Sequence, residues 1–352
     1  MMKINENTFS RYLILLLMLL SAAEARGFDD SVITHIEYPD WFNENPFNDL
    51  PEILNESSAN NKKGLFILFT TEGCSYCDRF IRESLGDSGI AIIMQDNFES
   101  IGLEIFDDAE ITTTGGIAKS VKEFASDVKV QFSPTLLFYD NEGKRILRIT
   151  GYKSPDKFSK ILSYVVGDHH RSLSFRDYLL VEKQRAATSR PGINNAGLTA
   201  NPVFAKPPYL LDRSKKPSSK PLLVVFEGSN CIECKNFHAN VFSSKDVIDK
   251  LHQFEVVRLN ARDDKTAIIS PDGKTITPAS WYHDSAFTQI PAMLFFDEDG
   301  NEVLKTDALV LKQRMINSLD YVQTRSYEKG WSYQRYARTI GLEKLNKKRN
   351  NQ

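Results

Sequence analysis

The sequence predicts an α/β fold built as two tandem copies of one domain, each a central mixed sheet flanked by helices. Three observations carry that expectation: text that repeats at a fixed offset, two Cys-x-x-Cys pairs at matching places in the repeat, and two X-Pro steps standing before matching apolar strands. A chain of 352 residues also exceeds what a single hydrophobic core normally serves.

The offset is 157, separating Cys74 from Cys231 and Pro134 from Pro291. Around these anchors the text matches in kind. Leu65-Phe66-Ile67-Leu68-Phe69 answers Leu222-Leu223-Val224-Val225-Phe226, and Thr135-Leu136-Leu137-Phe138-Tyr139-Asp140 answers Ala292-Met293-Leu294-Phe295-Phe296-Asp297. The turn Asn141-Glu142-Gly143 answers Glu298-Asp299-Gly300. Between the anchors Phe98, Leu103 and Asp107-Asp108 match Phe254, Leu259 and Asp263-Asp264 at 156, a one-residue slip. Such agreement marks a duplicated domain.

Each unit reads as strand, Cys pair, helix, short helix, strand, variable segment, Pro, strand, Gly turn, strand, helix. Residues 90–94 look strand-like by their β-branched content, but their counterpart around 246–251 looks helical, so both are expected to be short helices leading into strands near 98–106 and 254–261. Phe158, Ile161, Leu162 and Val165 share one face of a helix over 157–166, and a further helix follows over 175–184. The expected division is a leader, 1–25; a first domain, 26–184; a linker, 185–204, flexible to about 220; a second domain, 205–342; and a solvated, frayed basic tail, 343–352.

Residues 1–25 read as a targeting segment. Lys3 and Arg11 accompany the unbroken apolar run 12–20, and Ala23-Glu24-Ala25 supplies a small-x-small cleavage pattern. Cleavage after Ala25 and a periplasmic location are expected, with an uncleaved anchor as the alternative. The run is shorter than the about 20 residues of a comfortable membrane span. A net charge of −2 implies no general attraction to nucleic acid or anionic lipid, so no nucleic-acid partner is expected. The sequence carries no phosphate loop, serine-nucleophile elbow or dinucleotide fingerprint.

The only cysteines are Cys74, Cys77, Cys231 and Cys234. Stapling disulfides would be scattered along an exported chain; concentration in two Cys-x-x-Cys pairs points to redox chemistry or metal binding. An apolar strand ends shortly before each first Cys and a helix begins near it. Unpaired N–H groups and the partial positive charge of a helix start stabilise a thiolate there, making Cys74 and Cys231 the nucleophiles. Cys77 lies on the face of Phe80 and Ile81, and Cys234 on the face of Phe237 and Val241, so the second sulfurs should be the more buried and should resolve a mixed disulfide. Glu233 beside the second pair would disfavour a thiolate and leave Cys74 with the lower pKa; the alternative is that Glu233 points to solvent and is screened. Ser133-Pro134 and Ile290-Pro291 each follow their first Cys at the same spacing. That agreement argues for cis bonds that expose backbone groups to a client strand.

These features together resemble the thioredoxin superfamily. The first unit, about 38–180, is similar in addition to periplasmic thioredoxin-like proteins associated with bacterial sulfur oxidation. The matching text is Tyr38-Pro39-Asp40-Trp41-Phe42, Glu72-Gly73-Cys74-Ser75-Tyr76-Cys77, Phe132-Ser133-Pro134-Thr135-Leu136-Leu137-Phe138-Tyr139 and Gly151-Tyr152. The second unit, about 205–340, resembles only the general superfamily. The resemblance implies that Cys74 and Cys231 attack, that Cys77 and Cys234 resolve, and that Pro134 and Pro291 are cis. It implies protein partners bearing disulfides or thiols, a membrane thiol-electron donor and no dissolved cofactor. Departures are the lack of a Gly-Pro centre in either pair, the lack of a Trp before either first Cys, and Leu68 and Val225 where thioredoxin carries a buried acid.

Two rival readings stand beside this one. Four thiolates could hold structural zinc, although 153 residues separate the pairs. Alternatively one domain is active and the other, with Glu233 in its pair, serves as a docking module. Of the remaining features, Trp41 and Phe42 are expected to pack an N-terminal extension onto the first domain. Tyr282-His283-Asp284 read as surface loop, with lining a substrate groove as the alternative. Asp107-Asp108 and Asp263-Asp264 read as turn chemistry, and His169-His170 as carbonyl caps or solvated residues.

Overall fold

The computed structural model describes residues 28–43, 49–187, 201–229 and 231–350. The expected leader, 1–25, and most of the expected linker lie outside the described residues. Among the described residues no helix is long and apolar enough to cross a membrane.

In the first domain α1 (Leu50–Ala59) starts at Asp49, whose carboxylate accepts from the Glu52 N–H at 3.0 Å. Then come β1 (Gly64–Thr70), α2 (Ser75–Arg79) running into a π-helical stretch at Phe80–Leu85, α3 (Ser88–Asn97) and β2 (Phe98–Glu104). A small hairpin, β3 (Glu110–Thr112) with β4 (Ala118–Ser120), leads into α4 (Val121–Asp127). After it follow β5 (Thr135–Asp140), β6 (Arg145–Thr150), α5 (Pro155–Val166) and α6 (Phe175–Ala187). The second domain repeats the scheme: β7 (Leu222–Glu227), α7 (Ile232–Asn240), α8 (Lys245–Leu251), β8 (Glu255–Asn260), the hairpin β9 (Ile268–Ile269) and β10 (Thr275–Ile276), and α9 (Pro278–Asp284). It closes with β11 (Ala292–Phe296), β12 (Glu302–Thr306), α10 (Lys312–Gln323) and α11 (Tyr333–Asn350).

The two sheets are mixed and equivalent, ordered β2-β1-β5-β6 and β8-β7-β11-β12. In each the first pairing is parallel and the other two antiparallel. Helices cover both faces, so the central strands are apolar throughout rather than alternating. Leu65, Ile67 and Phe69 join one cluster with Leu50, Ile53 and Phe124. Phe66 points to the other face, against Phe138 at 5.0 Å and Phe158 at 6.3 Å between ring centroids. Burying each such side chain contributes about 1.5–3 kcal/mol. The β5–β6 and β11–β12 hairpins turn at Gly143 and Gly300, whose φ values of +77° and +87° favour glycine.

Phe42 is buried and packs on Phe66, so the N-terminal extension does lie on the first domain. The Asp pairs make turns: Asp107 accepts from the Ala109 N–H, and Asp263 from the N–H groups of Lys265 and Thr266.

The variable segments of the two repeats share one topology, a hairpin followed by a helix, and each helix carries its own N-terminal cap, at Ser120 and Thr277, despite unrelated text. Three expectations are corrected. Residues 201–220 do not continue a flexible linker. The Ala205 N–H donates to Val256 O, the Tyr209 hydroxyl to Arg258 O and the Arg213 N–H to Pro271 O, fixing the segment to the second domain. Tyr282-His283-Asp284 end α9 rather than forming a loop, and Tyr282 is core, packed on Phe226 and Phe287. The expected frayed tail, 343–352, is helical to Asn350 as the end of α11, with Lys344 donating to Gln313.

Candidate active sites at the two cysteine pairs

Cys74 and Cys231 are the N-cap residues of α2 and α7. Their Sγ atoms accept from the N–H groups of Cys77 and Cys234 at 3.1 and 2.9 Å, which uses one of the unpaired donors of each helix start. Each pair is closed as a disulfide within its own domain, with Cα separations of 5.3 and 5.2 Å. Cys77 and Cys234 are more buried than their partners, on the faces of Phe80 and Phe237. Among the described residues no group of three or more His, Cys, Asp or Glu side chains converges as a metal site.

The Ser133-Pro134 and Ile290-Pro291 bonds are both cis. They lead into β5 and β11, the strands beside β1 and β7, and so stand next to the cysteines. Ser133 Oγ donates to Thr71 Oγ1 at 3.2 Å and to Cys74 Sγ at 3.5 Å. Ile290 O lies 3.9 Å from Cys231 Sγ. The structure therefore brings all eight expected site residues together as two groups of four.

The two sites meet across a domain interface that the sequence reading did not anticipate. Arg314, near the start of α10, sits with its guanidinium carbon 3.5 Å from the Tyr76 ring centroid. It donates to Ser133 O at 2.9 Å and to Leu309 O at 3.1 Å. The Leu311 N–H donates to the Tyr76 hydroxyl, and Gln334 of α11 donates to Ser133 Oγ at 3.0 Å. Phe132 of the first domain joins the core cluster of the second and packs on Tyr333. In the reverse direction Lys157 of α5 pairs with Glu233 at 3.2 Å. This corrects the expectation drawn from Glu233. Its charge is half-exposed and paired, so it gives no ground for ranking the two thiol pairs. Beside Ile290 and Pro291 a cavity of 190 Å³ opens, lined from the first domain by Tyr152, Ser154 and Lys157.

Two further charged groups went unread in the sequence. Leu68 and Val225 are apolar and buried, but Glu227, two positions past Val225, is buried at 1% exposure. Its carboxylate meets His238 Nε2 at 2.6 Å, and Arg258 is 3.8 Å away. Val203 N–H donates to Asn201 Oδ1, which turns the Asn201 amide NH₂ toward His238 Nδ1; this network assigns Nε2 as the donor to Glu227. The signal available was an acid at the end of an apolar strand and a His four residues after Cys234 on the same helix face. Lys153, just after β6, is buried with its ammonium on Thr150 O, and burial pushes its pKa down to about 8.

Comparison with known proteins gives one family match. A family model described as a thioredoxin-like domain matches residues 50–166 and again 212–323, well over half of the chain. No curated protein matches the chain. Solved structures similar to it include a thioredoxin-fold protein from Helicobacter pylori, at 22% identity and a TM-score of 0.31, covering 36% of this chain and 87% of that one. A thioredoxin from Thermus thermophilus shares 21% identity at a TM-score of 0.26, covering 34% and 88%. A disulphide isomerase from Xylella fastidiosa Temecula1 shares 13% at 0.24, covering 44% and 97%.

Proposed function

Given that this chain belongs to the family of thioredoxin-like domains, which it carries in two copies, we propose that it is a thiol–disulfide oxidoreductase acting on protein clients through Cys74–Cys77 and Cys231–Cys234. The observation that carries the reading is the shared geometry of the pairs: each first Cys caps a helix and lies beside a cis X-Pro step. In the reducing direction the thiolate of Cys74 or Cys231 attacks a client disulfide. One client sulfur leaves as a thiolate, and Cys77 or Cys234 then attacks the mixed disulfide. The client gains two electrons and two protons and the pair becomes a disulfide. The helix start stabilises the thiolate both as nucleophile and as leaving group.

The leader-like segment, 1–25, supports export to the periplasm, where a reductant or isomerase needs an electron donor such as a membrane thiol carrier. The text around Tyr38 to Phe42 and Gly151-Tyr152 supports placing the first domain near periplasmic thioredoxin-like proteins associated with bacterial sulfur oxidation. The decisive experiment measures reduction of a protein disulfide and unscrambling of a mispaired one, with the full chain and with both pairs changed to Ser. Turnover that disappears in the four-Ser variant supports the proposal; full activity in that variant, or none in the native chain, removes it. The reduction potential of each pair sets the direction, a value near −270 mV indicating a reductant and one near −120 mV an oxidant.

A further inference from the structure

The two client faces are equivalent by repeat but differ in cover. Tyr76 is 3% exposed, Ser133 2% exposed, and Pro134 is buried. At the matching positions Glu233 is exposed, while Ile290 and Pro291 are half-buried and line a cavity together with Glu233 and Phe237. The other residue between the cysteines follows suit, with Ser75 buried and Ile232 61% exposed. The cover on the first face is directed. Arg314 occupies Ser133 O, the backbone acceptor that an extended client would use beside the first pair, and Gln334 holds the Ser133 hydroxyl. Both cover residues are themselves buried. The sulfur is not sealed, since Cys74 is half-buried whereas Cys231 is buried. The cover thus acts on the strand edge rather than on the reacting atom.

We infer that Arg314 and Gln334 are specificity-determining residues of the first pair: while the domains are docked, Cys74 exchanges with small thiols but not with an extended polypeptide, which reacts at Cys231. The inference rests on the thiol–disulfide reading above and adds to it a division of reactants between the two pairs. In either exchange one thiolate attacks the first sulfur, Cys74 or Cys231; its own partner, Cys77 or Cys234, leaves as a thiolate and takes up a proton, and a second thiol then attacks the mixed disulfide and releases the oxidised reactant as a disulfide while the pair keeps two electrons.

The test uses the oxidised full chain with one pair silenced, either Cys231→Ser with Cys234→Ser or Cys74→Ser with Cys77→Ser. Two probes are compared, free cysteine and a short unstructured peptide with one central cysteine. The quantity read is the peptide rate divided by the free-cysteine rate at each pair. We expect this ratio to be at least about tenfold lower at Cys74 than at Cys231, the loss of a strand-pairing acceptor alone being worth about that much. Adding Arg314→Ala and Gln334→Ala to the chain that keeps Cys74 should raise its ratio toward that of Cys231. Equal ratios at the two native pairs overturn the inference without any cover variant, and so does an unchanged ratio in a variant shown to be folded by circular dichroism. Failure of both pairs to react with free cysteine overturns instead the oxidoreductase reading.

Discussion

Arg314 and Lys157 stand 157 positions apart, at matching places in the two repeats, and each reaches the Cys-x-x-Cys turn of the opposite domain. Tyr76 and Glu233, the residues they meet, are themselves 157 apart. Gly151 and Ala308 are a third such pair, and they touch one another: a Cβ built on Gly151 would lie 2.4 Å from Ala308 Cβ. The domains therefore face each other about a local two-fold relation, as identical subunits do in a symmetric dimer. The relation is unequal in strength, because the Arg314 side is buried and the Lys157 side is wet.

That inequality has a measurable consequence. Arg314→Ala removes hydrogen bonds to two carbonyls, Ser133 O and Leu309 O, and the cation on the Tyr76 ring, all in a desolvated place. The expected loss is about 2–4 kcal/mol of stability. Lys157→Ala breaks a pair whose two side chains are 44% and 46% exposed, so its expected cost is at most about 0.5 kcal/mol. Urea unfolding of the oxidised chain distinguishes the two, and equal costs would refute the asymmetry.

Glu227 and His238 give a second contrast. Glu227→Ala leaves the neutral His238 Nε2–H without its acceptor in a buried place and should cost about 1–3 kcal/mol. Glu227→Gln keeps a carbonyl oxygen for the His238 N–H and should cost less than half as much. Thermal denaturation of the two variants checks the ranking.

Much of this was legible in the sequence and some was not, for physical reasons. The apolar runs around Phe66 and Val224 and the 157 offset made the domain count and the succession of strands along each domain legible, because a central strand covered on both faces has little freedom of composition. The hairpins β3–β4 and β9–β10 escaped notice because a two- or three-residue pairing needs almost no particular side chains. The cysteines and X-Pro steps were legible from spacing alone. Arg314 and Lys157 were equally visible as basic residues at one offset, but a cation near a helix start normally reads as solvated surface. Only burial against the other domain gives Arg314 its role. Glu227 was not legible because it stands two positions beyond Val225, at the end of an apolar strand, where an acid ordinarily reaches solvent.

Lys153 predicts a pH effect. Its ordinary value of 10.5 falls to about 8 in the folded chain because burial disfavours the ammonium. Between about pH 8 and 10.5 the unfolded chain binds the proton and the folded chain does not, so this group makes stability rise with pH across that window and adds nothing below it. The ceiling is about 3 kcal/mol. Tyr38 and Tyr152, pushed up to about 12, act in the opposite sense above pH 10, so the comparison belongs between pH 7 and 9.5. In Lys153→Met the gain should vanish. A parallel pH profile for the oxidised native and Met chains, by urea midpoint, would contradict the assignment.

The two sulfurs of each pair should also be separable by chemistry. On the proposed mechanism a mixed disulfide forms on the first Cys and is released by the second, so removing the second should trap the adduct. Cys77 is fully buried and Cys234 nearly so, which keeps clients from attacking them directly. Reduced Cys234→Ala should therefore accumulate a covalent complex with a disulfide-bearing protein client, while Cys231→Ala should accumulate none above background. The same pair of changes at Cys77 and Cys74 should trap a small disulfide but little of the protein client, because the edge at Ser133 is already taken by Arg314. Non-reducing gels and intact-mass measurement read all four outcomes. Trapping at Cys234 rather than Cys231 would reverse the assignment of attacking and resolving sulfurs, since only the sulfur that forms the adduct can retain it.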